Sequence, residues 1–69
     1  MIEEYEIHNA ENDETIQFTW EGSNRIIVWE QEQVGDRWVV VGDIRDNNIT
    51  CSDSFKSACI DWYIKNGEH

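Results

Sequence analysis

The sequence predicts an α+β domain: a three- or four-stranded antiparallel sheet with one C-terminal helix packed on one face. Three observations carry this. Apolar residues upstream of Ser52 recur mostly at strand period, as in Ile16, Phe18 and Trp20. Short polar turns separate those runs. The only segment with helical spacing is the last, where Phe55, Ala58, Cys59 and Trp62 recur at three- and four-residue steps. With 69 residues, no proline and no repeat, the chain reads as a single domain spanning residues 1–69.

Tyr5 and Ile7 alternate with Glu4, Glu6 and His8, a weak strand signal. Asn9 to Glu14 is polar and reads as a loop. Thr15 to Trp20 alternates cleanly, the pattern of a half-buried strand. Glu21-Gly22-Ser23-Asn24 is a turn, so the run Arg25 to Gln33 is its hairpin partner. Ile26 to Trp29 is continuously apolar, which predicts cover on both faces there. Gly35-Asp36 breaks the run. Trp38 to Val41 resumes it, Gly42 marks a bulge or bend, and Ile49 to Cys51 reads as a short strand or strand end after the Asn47-Asn48 turn. Ser52 or Asp53 caps the helix, Ile60, Tyr63 and Ile64 widen its apolar stripe, and Asn66-Gly67 stops it.

So small a domain buries only about 60% of the surface its unfolded chain exposes. Its core must be dense, and four tryptophans (Trp20, Trp29, Trp38 and Trp62) are available to fill it. The first three lie on three predicted strands. Either all belong to the core, or some sit on the sheet face opposite the helix, where Trp20 or Trp29 would anchor a protein partner.

Charge is the dominant chemical feature. Fifteen Asp and Glu face five Lys and Arg, a formal charge of −10. Upstream of Arg25 the chain carries Glu3, Glu4, Glu6, Glu11, Asp13, Glu14 and Glu21 with no basic residue. Such a field repels nucleic acid and anionic membrane and attracts cationic protein surfaces. It also loads the folded state with self-repulsion, so added salt is expected to raise the melting temperature. Direct nucleic-acid binding fails on sign, because it rests on Lys and Arg neutralising phosphates.

Catalytic and metal signatures are weak. Glu30 and Glu32, two apart on a strand, stand about 6.6–6.8 Å apart. That spacing suits an inverting glycosidase, but catalysis needs burial to shift a carboxyl pKa, and these two read as solvated. His8, His69, Cys51 and Cys59 do not have zinc-site spacing. The loop Asn9 to Glu14 lacks the glycine and terminal glutamate of a calcium loop. His8 is the only internal histidine available as a base, and no glycine pattern cradles a phosphate. The expectation is a non-enzyme without cofactor or metal. Two cysteines are too few for a disulfide framework; they read as small buried hydrophobes in a reducing cytosol, Cys51 at a strand end and Cys59 mid-helix. The N-terminal residues have no signal-peptide pattern, and no stretch approaches the roughly 18 apolar residues of a membrane span. A cytoplasmic location is expected.

The pairs Glu4/Glu6 and Glu30/Glu32 suggest a different role. Their strand spacing of about 6.6–6.8 Å matches two phosphate steps along DNA, at about 3.4 Å each. Acids on an exposed sheet would then occupy basic sites meant for a phosphate backbone. The plain alternative is acidity that serves solubility.

In length, charge, strand-strand-strand-helix order and acidic strands at Glu4, Glu6, Glu30 and Glu32, the chain resembles the small acidic inhibitors encoded by phages and mobile elements. These include anti-CRISPR proteins and DNA-mimic inhibitors of uracil-DNA glycosylase or restriction enzymes. The resemblance covers the whole chain at the level of group character and has no motif. It implies a partner that is a basic, nucleic-acid-binding protein in the host cell. The expected contacts are Glu3, Glu4, Glu6, Glu11, Asp13, Glu14, Glu30 and Glu32, with Trp20 or Trp29 as apolar anchor. Two rival readings are an immunity protein or antitoxin neutralising a basic toxin, and an assembly module forming a homodimer through an edge strand such as Tyr5 to His8.

Overall fold

The computed structural model describes residues 3–11, 13–32 and 35–67. Its elements are β1 (Glu3–Asn9), β2 (Glu14–Trp20), β3 (Arg25–Gln31), β4 (Trp38–Arg45) and α1 (Ser52–Trp62), followed by a π-helical turn at Tyr63–Gly67. The four strands form one antiparallel sheet in the order β1-β2-β3-β4. The expected α+β architecture is the observed one, with four strands.

Alternation sets which side chains reach the helix. Ile16, Phe18 and Trp20 of β2 and Ile26 and Val28 of β3 are buried beneath α1, joined by Ile49, Phe55 and Cys59. Tyr5, Ile7, Ile44, Ala58, Trp62 and Tyr63 pack around them. Trp20 stacks on Phe55 at 5.4 Å, and Trp62 meets Phe18 edge-on at 5.9 Å. These are favourable aromatic geometries, and they join the helix to β2. The weak signal in β1 becomes a full strand because it pairs along its length with β2, from Glu3 opposite Trp20 to Asn9 opposite Glu14.

β4 runs on to Arg45, past the expected end at Val41. A bulge explains this. Val28 pairs with Gly42 but Trp29 pairs with Val40, so Val41 is an extra residue. The bulge absorbs the irregularity at Gly42, and pairing continues. β3 is observed as Arg25–Gln31; Gln33, its expected end, lies outside the described residues. Ile49 to Cys51 is not a strand. The chain turns there, with the Asn48 N–H donating to Asp46 Oδ1 at 2.9 Å and the Asp46 N–H donating to the Asn24 carbonyl at 2.9 Å. Ile49 instead plugs the core at 6% exposure.

The helix cap lies one residue before Ser52, the first of the two expected caps. Cys51 is the N-cap, and the Ser54 hydroxyl accepts from the backbone N–H of both Cys51 (3.0 Å) and Thr50 (2.9 Å). Ser52 is drawn off by β1, since its hydroxyl donates to the Glu3 carboxylate. Ile60 and Ile64 do not join the buried stripe; they are 42% and 57% exposed. The helix end is held by Asn66 Nδ2, which donates to the Trp62 carbonyl at 3.1 Å.

Candidate protein-binding surface

The side of the sheet away from α1 carries no second layer among the described residues. Register places its side chains in rows. Glu4, Thr19, Ile27 and Asp43 lie across one row, and Glu6, Gln17, Trp29 and Val40 across the next. The second row therefore runs from acidic on β1 to apolar on β3 and β4, while the first returns to an acid, Asp43, on β4. Ile27 and Trp29 are half-buried by their neighbours on the open face, not covered by another layer. Trp29 lies across β2, its Nε1–H donating to Thr19 Oγ1 at 3.0 Å.

This geometry separates the two tryptophans proposed as anchors. Trp20 is a core residue at 8% exposure, and its indole N–H donates to the Ser23 carbonyl. It cannot reach a partner without opening the core. Trp29 and Trp38 are on the open face, opposite Val40 and Gln31 respectively, so the tryptophans are divided between the two faces.

The acids divide as well. Glu4 and Glu6 are exposed on the open face. Glu30 is opposite Ile16 and so points to the helix side, near the end of the sheet. Glu32 lies beyond the end of β3 with its side chain 41% exposed, 3.8 Å from Arg37. The two glutamate pairs therefore do not form one phosphate-like surface. Glu3 also leaves the contact set: it accepts from Ser52, and its second oxygen is buried without a partner.

The structure instead assembles acids at the end of the sheet that carries the β1–β2 turn and the β3–β4 loop. Asp13, Glu14, Glu30 and Glu32 line one shallow depression with Gln31 and Val39, and Asp13, Glu32 and Asp36 line the neighbouring one. Glu11 is exposed in the same turn. Asp36 was missed by sequence reasoning, because only the hairpin register brings its loop alongside the β1–β2 turn. Asp13 and Asp36 both adopt φ of 54°, a left-handed conformation that Asp tolerates better than most residues. Tyr63 Oη accepts from Asn9 Nδ2 at 3.3 Å, which ties the segment after α1 to the end of β1.

Three arginines are engaged locally. Arg25 and Arg45 both reach Asp43 Oδ2, at 3.3 and 3.2 Å, and Arg37 faces Glu32. His8 sits beside the acidic turn, with Nδ1 2.9 Å from Thr15 Oγ1 and Nε2 3.9 Å from Asp13. No cluster of three His, Cys, Asp or Glu suited to a metal ion occurs among the described residues; His69 lies outside them.

The cysteines differ sharply. Cys59 is buried, and burial pushes its thiol up to about 12. Cys51 is exposed, contrary to the expectation of burial. The Ser54 backbone N–H, then the Ser54 hydroxyl and the Asp53 N–H, hold its thiol below the ordinary value. His8 and Cys51 belong to opposite ends of β1, because Ser52 meets Glu3 while His8 pairs near the β1–β2 turn. They do not form a nucleophile–base pair.

No family model matches the chain, and neither a curated protein nor a solved structure shows significant similarity to it. Among the described residues, no helix is long and apolar enough to cross a membrane.

Proposed function

We propose that this protein binds a cationic protein surface, and that its target is the nucleic-acid-binding site of a host defence or DNA-processing enzyme. One observation carries the reading. Asp13, Glu14, Glu30, Glu32 and Asp36, from three chain segments, converge on adjoining depressions at one end of the sheet. Among the described residues, Arg37 faces Glu32 there. Concentrating like charge on one end adds repulsion to a chain already at −10, a cost that a cationic partner would relieve. Dispersed acids would serve solubility equally well. Glu4 and Glu6 on the open face of β1 extend the anionic surface along the edge of the sheet. Complementary charge steers the target's Lys and Arg onto these carboxylates, so association is fast and falls steeply with salt.

The test is displacement. Fluorescent duplex DNA is loaded on a panel of DNA-binding enzymes, and its release by the protein is followed by anisotropy at rising salt. The expected result is release from at least one member that weakens steeply with salt. Reversing Glu4, Glu6, Glu30 and Glu32 together to Lys should abolish release while the melting temperature holds. The two double variants, Glu4/Glu6 and Glu30/Glu32, then assign the effect to the open face or the acidic end. Undiminished release by the quadruple variant would overturn the proposal.

A further inference from the structure

We propose that a second copy of this chain docks on the β4 side of the open sheet face, through Trp38, Val40 and Val41. These residues are 36%, 56% and 42% exposed, and they follow one another along an edge strand. The bulge at Val41 breaks the strand alternation, which leaves both valines in solvent. Trp29 and Ile27 continue the patch inward, opposite Val40 and Asp43. An exposed apolar edge of this kind is a site of association unless it is guarded.

The two edges are built differently. β1 displays Glu4 and Glu6, the type of charge that blocks edge association. The charged residues of β4 are Asp43 and Arg45, and Arg25 also pairs with Asp43. The strand's own residues are thus close to neutral in a chain of charge −10, and the acids beside it, Glu30, Glu32 and Asp36, are gathered at its Trp38 end. A cationic partner has little to attract it there, whereas an identical surface does not repel it. A two-fold arrangement also suits the local charges, since Arg45 of one copy can face Asp43 of the other. The remaining obstacle is repulsion, from Glu32 and Asp36 beside the Trp38 end, which salt screens, and from the acids of β1. β1 lies three strand spacings away, roughly 14 Å, beyond the Debye length of about 8 Å at physiological salt. The acids of β1 therefore stay far from the contact and remain open to another partner.

Salt separates this contact from the cationic-target reading. A dimer between like-charged copies through an apolar patch strengthens as salt screens their repulsion, whereas capture of a cationic target weakens. Sedimentation velocity across a concentration series, at 0.05 and 0.5 M NaCl, reads the dimer directly. The expected result is a dimer that tightens with salt, and that Val40→Lys weakens by about tenfold or more, the equivalent of ~1.4 kcal/mol. Hydrogen exchange at low and high protein concentration should show added protection at β4 and none at β1; it does so on the unmodified chain, whatever the fate of the variant. A monomer at every concentration, a dimer that salt dissolves, or added protection at β1 would each overturn the proposal. Loss of DNA displacement would leave it untouched.

Discussion

The indole of Trp62 packs against the backbone of Gly42, so close that a Cβ placed on Gly42 would lie 3.3 Å from the ring. The bulge at Val41 and the helix's last turn meet at this contact. A larger residue at position 42 would push the ring away from Phe18, its edge-on neighbour. Gly42→Ala is expected to cost about 1 kcal/mol and Gly42→Val up to about 3 kcal/mol. For a domain of this size, 1 kcal/mol moves the melting temperature by about 4–8 °C. A thermal melt that leaves Gly42→Val at the wild-type midpoint would show that the ring has room to move.

Trp20 and Trp29 should behave oppositely. Trp20 is buried and stacked on Phe55, so Trp20→Ala removes core volume, at about 3–5 kcal/mol. In so marginal a domain this unfolds much of the population. Trp29 is only half-buried, on the open face, so Trp29→Ala is expected to leave a folded protein with a smaller loss. Denaturant titration of the two variants checks this, and equal midpoints would contradict the face assignment.

Glu3 depends on Ser52. The Ser52 hydroxyl donates to one Glu3 oxygen, and the other oxygen is buried without a partner. Ser52→Ala leaves that carboxylate short of its donor, at about 1–3 kcal/mol. The double variant with Glu3→Ala should recover part of the loss, because the stranded carboxylate is then gone. A double-mutant cycle with zero coupling would separate the two residues energetically.

The thiols should titrate apart. Cys51 is exposed and held below the ordinary thiol value of 9.0, so a disulfide reagent should label it in the native state, faster than a free thiol near neutral pH. Cys59 is buried with its thiol pushed up to about 12, so it should label only on unfolding. Between pH 9 and about 12 the unfolded chain has lost the Cys59 proton while the folded chain retains it. Stability from this group is therefore full below pH 9 and declines toward pH 12. Cys51 contributes with the opposite sign just below pH 9, where the folded chain is the first to ionise. Mass spectrometry of labelled protein reads the order, and native labelling of Cys59 would contradict its burial.

Strands and helix are legible from residue order wherever one buried face sets the side-chain period. Thr15 to Trp20 and Phe55 to Trp62 are such segments, and their buried residues follow the alternation. Total charge was equally legible, since it is a sum over residues. Where that charge and the tryptophans lie depends on how the strands pair and pack. Glu4 and Glu30 look alike as acids on strands, yet pairing places them on opposite faces. Trp38 to Val41 reads as an apolar strand, but one extra residue in β4 leaves Val40 and Val41 in solvent. The physical reason is that a strand's alternation leaves open which face is buried, and a single bulge reverses it for everything beyond. Asp36 and Asp13 likewise become neighbours only when both hairpins close at the same end of the sheet.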